Sequence, residues 1–102
     1  MAYVDEFLAY LSVERGLAGN TIESYGRDLR QFEAFARNSE KDLGLADVDE
    51  DAILDYIAHM RSRGKAGSSI CRSLAAIRGL YEFLDREHKI ERDPTANLGS
   101  PK

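Results

Sequence analysis

The segments Ala18-Gly19-Asn20-Thr21-Ile22 and Ala66-Gly67-Ser68-Ser69-Ile70 are near copies of one another, and each stands directly before an apolar run of helical period. The chain therefore starts two of its helices in the same way. Ile22, Tyr25, Leu29, Phe32 and Phe35-Ala36 continue the first to about Asn38, and Ile70, Leu74, Ile77, Leu80-Tyr81 and Leu84 continue the second from Ser68 to about Glu87. Apolar residues at this spacing form one stripe of a helix, and the stripe must be buried against other elements. Val4, Phe7, Leu8 and Leu11 give a further stripe from about Val4 to Glu14, with Gly16 placed to end it. Ile53, Leu54, Ile57 and Met60 give another from about Glu50 to Arg63, stopped by Gly64. Between them, Ser39 to Val48 is polar and acidic, broken by Leu43, Gly44 and Leu45, and reads as a loop. No strand pattern competes, so the expected fold is an all-α bundle.

With 102 residues, 43% of them apolar and 31% charged, the chain suits one globular domain with a single modest core. No apolar run approaches the roughly 18 residues that would mark a transmembrane helix. The Met-Ala-Tyr-Val-Asp-Glu start lacks the basic and then apolar layout of a signal peptide, so a cytoplasmic location with no membrane partner is expected. Cys71 has no second cysteine for a disulfide and sits in a helical run, which predicts a buried or half-buried packing role. No metal or small-molecule cofactor is implied.

A net charge of −4 argues, as an average, against nucleic acid, whose binding rests on cations that displace counterions. The charges are divided, however. Glu40 to Asp55 holds seven acids and one lysine, whereas His59 to Glu82 holds Arg61, Arg63, Lys65, Arg72 and Arg78 against Glu82 alone. A local basic face is thus available for phosphates. In the second helix the inward stripe leaves Thr21, Ser24 and Arg27 on another face, with Arg30 a turn further on. In the fourth it leaves Ser68, Ser69, Arg72, Ser73 and Ala76, with Arg78 near the rim. Both faces are short-chained and acid-poor near the helix start. Asn20 with Glu23 three residues on has the form of a capping box, and hydroxyls in a first turn commonly serve as caps. The same helix starts, electropositive by their dipoles, also suit a phosphate, and small side chains allow close approach to a major groove about 12 Å wide. Both readings remain open on these residues, and Arg72 is expected to face outward and to matter little to stability.

The stretch Ala18-Gly19-Asn20-Thr21-Ile22-Glu23-Ser24-Tyr25-Gly26-Arg27-Asp28-Leu29, followed after a spacer by Ser69-Ile70-Cys71-Arg72-Ser73-Leu74-Ala75-Ala76-Ile77-Arg78-Gly79-Leu80-Tyr81-Glu82-Phe83-Leu84, resembles the N-terminal core-binding domain of tyrosine recombinases, the phage integrase family, most nearly its Xer type. Asp93-Pro94 is a poor helix continuation and Thr95 to Lys102 reads as an extended exit; Asp93-Pro94-Thr95-Ala96-Asn97-Leu98-Gly99-Ser100-Pro101-Lys102 resembles the linker that leads in that family to a catalytic domain, which divides the chain into a domain over 1–92 and the start of a linker over 93–102. The resemblance implies a SAM-like bundle of four or five helices that forms half of a clamp around double-stranded DNA. Two helices then cross the major groove with their N-terminal parts. It carries DNA contact to Thr21, Ser24 and Arg27, and to Ser68, Ser69, Arg72 and Ser73. Lys65 and Arg78 join them on charge and position. Ala18 and Ala66, where serine is frequent in the family, and Glu23 depart from its pattern.

Tyrosine recombinases cut DNA by attack of a tyrosine hydroxyl on a phosphodiester, leaving a 3′-phosphotyrosine, while arginines and histidines stabilise the developing charge. Neither histidine here fits the family's His-x-x-Arg motif, since Ser62 stands three places after His59 and Glu91 three after His88. The five tyrosines fall in helical segments, with Tyr25 and Tyr81 on inward stripes, which favours packing. No catalytic residue is assigned, and the chain is expected to be the DNA-binding part of a longer recombinase that is not itself an enzyme. The expected partners are double-stranded DNA and, because the family works as tetramers, other recombinase protomers. A helical protein-interaction module using the acidic Glu40–Asp55 segment, or a domain serving chiefly in protomer assembly, is the alternative. An autonomous enzyme is disfavoured by the absence of any catalytic constellation.

Overall fold

The computed structural model describes residues 3–98. Four α-helices follow one another: α1 (Tyr3–Glu14), α2 (Gly19–Arg37), α3 (Glu50–Ser62) and α4 (Gly67–Arg86), with one 3₁₀ turn at Leu45–Asp47 between α2 and α3. No strand occurs among the described residues, as the periodicity requires. The glycines expected to stop α1 and α3 both take the left-handed conformation, with φ of 63° at Gly16 and 77° at Gly64. At Gly64 the backbone N–H of Lys65 donates to Met60 and that of Gly64 to Arg61, a closing turn that satisfies the last carbonyls of α3.

α4 is the axis of the bundle. Ala76, Ile77, Leu80, Tyr81 and Leu84 on it are all fully buried, and α1, α2 and α3 each pack against it. α2 contributes Leu29, Phe32 and Ala36, and α1 contributes Val4, Phe7 and Leu11. Burial of such side chains, each worth about 1.5–3 kcal/mol, drives assembly.

Several expectations are corrected. Leu54 is not on the buried stripe of α3 but 48% exposed, and Tyr56 takes the inward place at 3%. The spacing Ile53, Tyr56, Met60 closes one face, while Leu54 lies about 100° around the helix from Ile53. The segment between α2 and α3 is not merely a polar loop, because Leu45 and Val48 are buried and Leu43 packs on the core. Cys71 is exposed rather than packed. Thr95 to Leu98 do not run out extended: Pro94 and Thr95 are buried, Asp93 accepts from the Thr95 N–H and hydroxyl at 2.8 and 2.6 Å, and Leu98 packs on the core. Gly99 to Lys102, the remainder of the expected exit, lies outside the described residues. Among the described residues no helix is long and apolar enough to cross a membrane.

Tyr81 ties the 3₁₀ turn to α4, its hydroxyl donating to the Leu45 carbonyl at 2.8 Å with no exposure of the ring. Burial, helped by the charges of Glu33 and Asp93, raises its pKa well above the usual 10.0. The unfolded chain therefore ionises this phenol near pH 10 while the folded chain keeps its proton, so the stability it carries is complete below that pH and is lost above it. The melting temperature is expected to hold up to about pH 10 and then fall, and Tyr81→Phe should lose about 1 kcal/mol at neutral pH yet show a shallower alkaline fall. Thermal melts across pH 8 to about 12 check this, and identical alkaline slopes for the two proteins would contradict it.

Candidate nucleic-acid interface

The repeated sequences fold as repeats. Ala18 before α2 has φ −66° and ψ 151°, Ala66 before α4 has φ −65° and ψ 150°, and neither helix start carries a side-chain cap. The first bonds within these helices run from Ile22 N–H to Ala18 and from Ile70 N–H to Ala66, at 3.1 and 3.0 Å. The N–H groups of Gly19, Asn20 and Thr21, and of Gly67, Ser68 and Ser69, thus have no partner among the described residues. By contrast α3 is capped, since Asp49 accepts from the Ala52 N–H at 2.9 Å. The expected capping box at Asn20 and Glu23 does not form because α2 begins earlier, leaving Asn20 one residue inside the helix. Leu17 and Ile22, spaced as a hydrophobic staple around this entry, both pack on the core and fix where the chain turns in.

The candidate faces of α2 and α4 meet. Thr21 and Ser24, both half-buried, lie on a stripe that runs on to Asp28, only 4% exposed. Arg72 of α4 binds that carboxylate with two parallel hydrogen bonds, Nε to Oδ2 at 2.8 Å and Nη2 to Oδ1 at 3.1 Å. These bonds, and the attraction of the Asp28 charge, raise the Arg72 pKa further above its usual value. The same charge adds to burial in raising Tyr56. The Arg72 side chain remains 46% exposed. Its predicted independence from the fold is corrected: Arg72 is the counterion of a buried acid. Ser73 is also corrected, being buried at 4%, as is Ala76 at 0%, so neither stands on the outward face. Both lie where α4 turns toward its neighbours.

Arg27, Lys65 and Ser68 are exposed, Ser69 is half-buried, and Arg27 and Lys65 make no ion pair among the described residues. Arg78 is half-buried and donates to the Leu98 carbonyl at 3.4 Å, which ties it to the 93–98 turn. Arg30 pairs with Asp5 at 3.0 Å on the surface. Sequence reasoning missed Asp28. The available signal was an acid placed directly beside the core residue Leu29, in a face otherwise poor in acids.

The chain is thus an all-α bundle in which α2 and α4 begin without side-chain caps and are tied to each other by the ion pair of Arg72 with the buried Asp28. Residues 4–88 match the family model of the phage integrase N-terminal SAM-like domain. The chain is 41% identical to tyrosine recombinase XerD of Halalkalibacterium halodurans, covering 97% of this chain and 33% of that protein. It is 43% identical to tyrosine recombinase XerC of Herpetosiphon aurantiacus over 97% of this chain and 32% of the relative, and 42% identical to tyrosine recombinase XerD of Rhizobium meliloti over 99% and 32%. The chain belongs to the phage integrase N-terminal SAM-like domain family. It spans about one-third of the length of these curated relatives.

Arg72→Ala is expected to lower folding stability by about 1–3 kcal/mol, because it takes both hydrogen bonds from the buried Asp28 while water can reach only part of the space left. Arg27→Ala, on open surface, should change stability by no more than about 0.5 kcal/mol. Urea denaturation of the two variants checks the pair, and a negligible loss for Arg72→Ala would mean that Asp28 does not depend on it.

Proposed function

We propose that this chain binds double-stranded DNA as one half of the clamp of a site-specific tyrosine recombinase, with the starts of α2 and α4 against the major groove. The observation that carries the reading is the pair of matched helix starts, each with three N–H groups that have no partner among the described residues, in a chain of this family. Free N–H groups at a helix start favour a phosphate, and no side chain of either helix occupies them. Thr21, Ser24 and Arg27 on α2 and Ser68, Ser69 and Arg72 on α4 then supply the contacts, with Lys65 at the turn before α4 and Arg78 at the rim. Phosphate contacts from these cations position the domain, and whatever reaches base edges specifies the site. Ser73, being buried, is left out of this set.

The phosphodiester chemistry, the pairing of protomers on a recombination site and the cytoplasmic setting are part of the same proposal. They rest on the named recombinases to which the chain is similar, and the chemistry is assigned to sequence outside these residues. The bundle extends through Leu98, so we place the passage toward a second domain beyond it.

Binding of a fluorescent duplex by this chain over a range of salt tests the reading. With Arg27, Lys65 and Arg78 as the cations on phosphate, log K should fall against log salt with a slope of about −3, and Arg27→Ala should make it shallower by about one. An absence of binding at low salt, or a slope that Arg27→Ala and Lys65→Ala leave unchanged, would contradict it. That outcome would turn attention to the open acidic groove of about 760 Å³ between residues 46–51 and 88–97, which suits a basic protein partner.

A further inference from the structure

A guanidinium has two bidentate edges. Asp28 occupies the side edge of Arg72, taking Nε–H and one Nη2–H. The end edge, made by Nη1 and the second Nη2–H, has no partner among the described residues, while the side chain as a whole is 46% exposed. Because Asp28 is 4% exposed and anchored in α2, the plane of Arg72 is set by both helices. An arginine needed only as a positive charge gains nothing from such fixation, since a phosphate accepts donors over a wide range of directions. Two parallel donors held in a fixed plane instead match a pair of acceptors fixed in one plane. In the major groove that pair is the O6 and N7 of guanine.

We propose that Asp28 is a positioning residue that presents the end edge of Arg72 to a guanine, making the pair the base-reading element of this domain. The proposal rests on the reading of the chain as a DNA-binding domain. Arg72 lies one turn and a half into α4, behind the N–H groups of Gly67, Ser68 and Ser69, which have no partner among the described residues. Phosphate held at that helix start would set the depth of α4 in the groove, and the fixed guanidinium would report one base. Tightening the plane of Arg72 in advance removes the entropy cost of ordering a long side chain upon binding.

Selection from a pool of randomised duplexes, bound by this chain at low salt and then sequenced, tests the proposal. The wild-type chain should enrich guanine at one position by about tenfold or more, the ratio expected for one good bidentate contact. Asp28→Asn, which keeps the shape but removes the paired acceptor, should reduce that enrichment to about threefold or less. Arg72→Lys keeps the charge and an ion pair with Asp28 but removes the fork, so it should abolish the enrichment and serves where Asp28→Asn folds poorly. Circular dichroism melts on both variants separate loss of fold from loss of reading. Salt-dependent duplex binding without a preferred guanine, or a guanine preference that survives both substitutions, overturns the role of Asp28 and leaves the DNA-binding reading standing. No binding of any duplex overturns both.

Discussion

A carboxylate taken almost wholly out of water must be compensated on the spot, and in this bundle the compensation comes from another helix. Asp28 is 4% exposed, and Arg72, 44 residues later in the chain, meets both its oxygens. The cost of burying the charge and the directionality of the two bonds act together, because any rotation of α2 against α4 breaks a bond and strands the acid. Apolar packing along the same pair of helices tolerates small slips, since it is non-directional. The ion pair therefore fixes how α2 and α4 cross, and the rest of the candidate face depends on that crossing. The exposed pairs contrast with it. Arg30 to Asp5 at 3.0 Å and Lys41 to Asp49 at 4.0 Å stand in solvent, where screening and side-chain entropy leave such contacts worth little.

Two kinds of helix start separate structure from proposed function. α3 begins under its own cap at Asp49, which takes the Ala52 N–H, and Glu50 and Asp51 in its first turn meet its dipole with negative charge. α2 and α4 begin at alanine with no acid in the first turn. The acidic segment thus lies at the helix that has no electropositive start to offer, and the uncapped starts keep their field. The net charge of −4 is an average over these two regions and describes neither.

The helices were legible to within a residue or so because a stripe of period 3.6 and a left-handed glycine are local signals: Gly16 and Gly64 end α1 and α3 where the pattern stops. What the pattern could not carry was the position of a neighbour. Leu54 and Tyr56 are both apolar enough for the inward face of α3, and only the packing of Tyr56 between the rings of Phe32 and Phe35 settles the choice. Leu45 and Val48 are hidden in an acidic stretch, and the Tyr81 hydroxyl that holds the turn is on a distant helix. Of the residues that the helical pattern turns outward, Arg27, Lys65 and Ser68 are exposed, but Ser73 and Ala76 turn inward and Arg72 serves a buried acid. A charge with its partner 44 residues away leaves no periodic trace in the sequence.

The most direct measurement of the central claim is a nuclear magnetic resonance titration of the labelled chain with a short duplex, following the backbone amides and the arginine Nε–H signals. The account predicts that the largest shifts fall on Gly19 to Thr21, on Gly67 to Ser69 and on the Arg72 Nε–H, with the amides of Asp47 to Asp51 unmoved. Shifts confined to the acidic groove or to the exposed side of α3 around Leu54, with both helix starts unchanged, would contradict it.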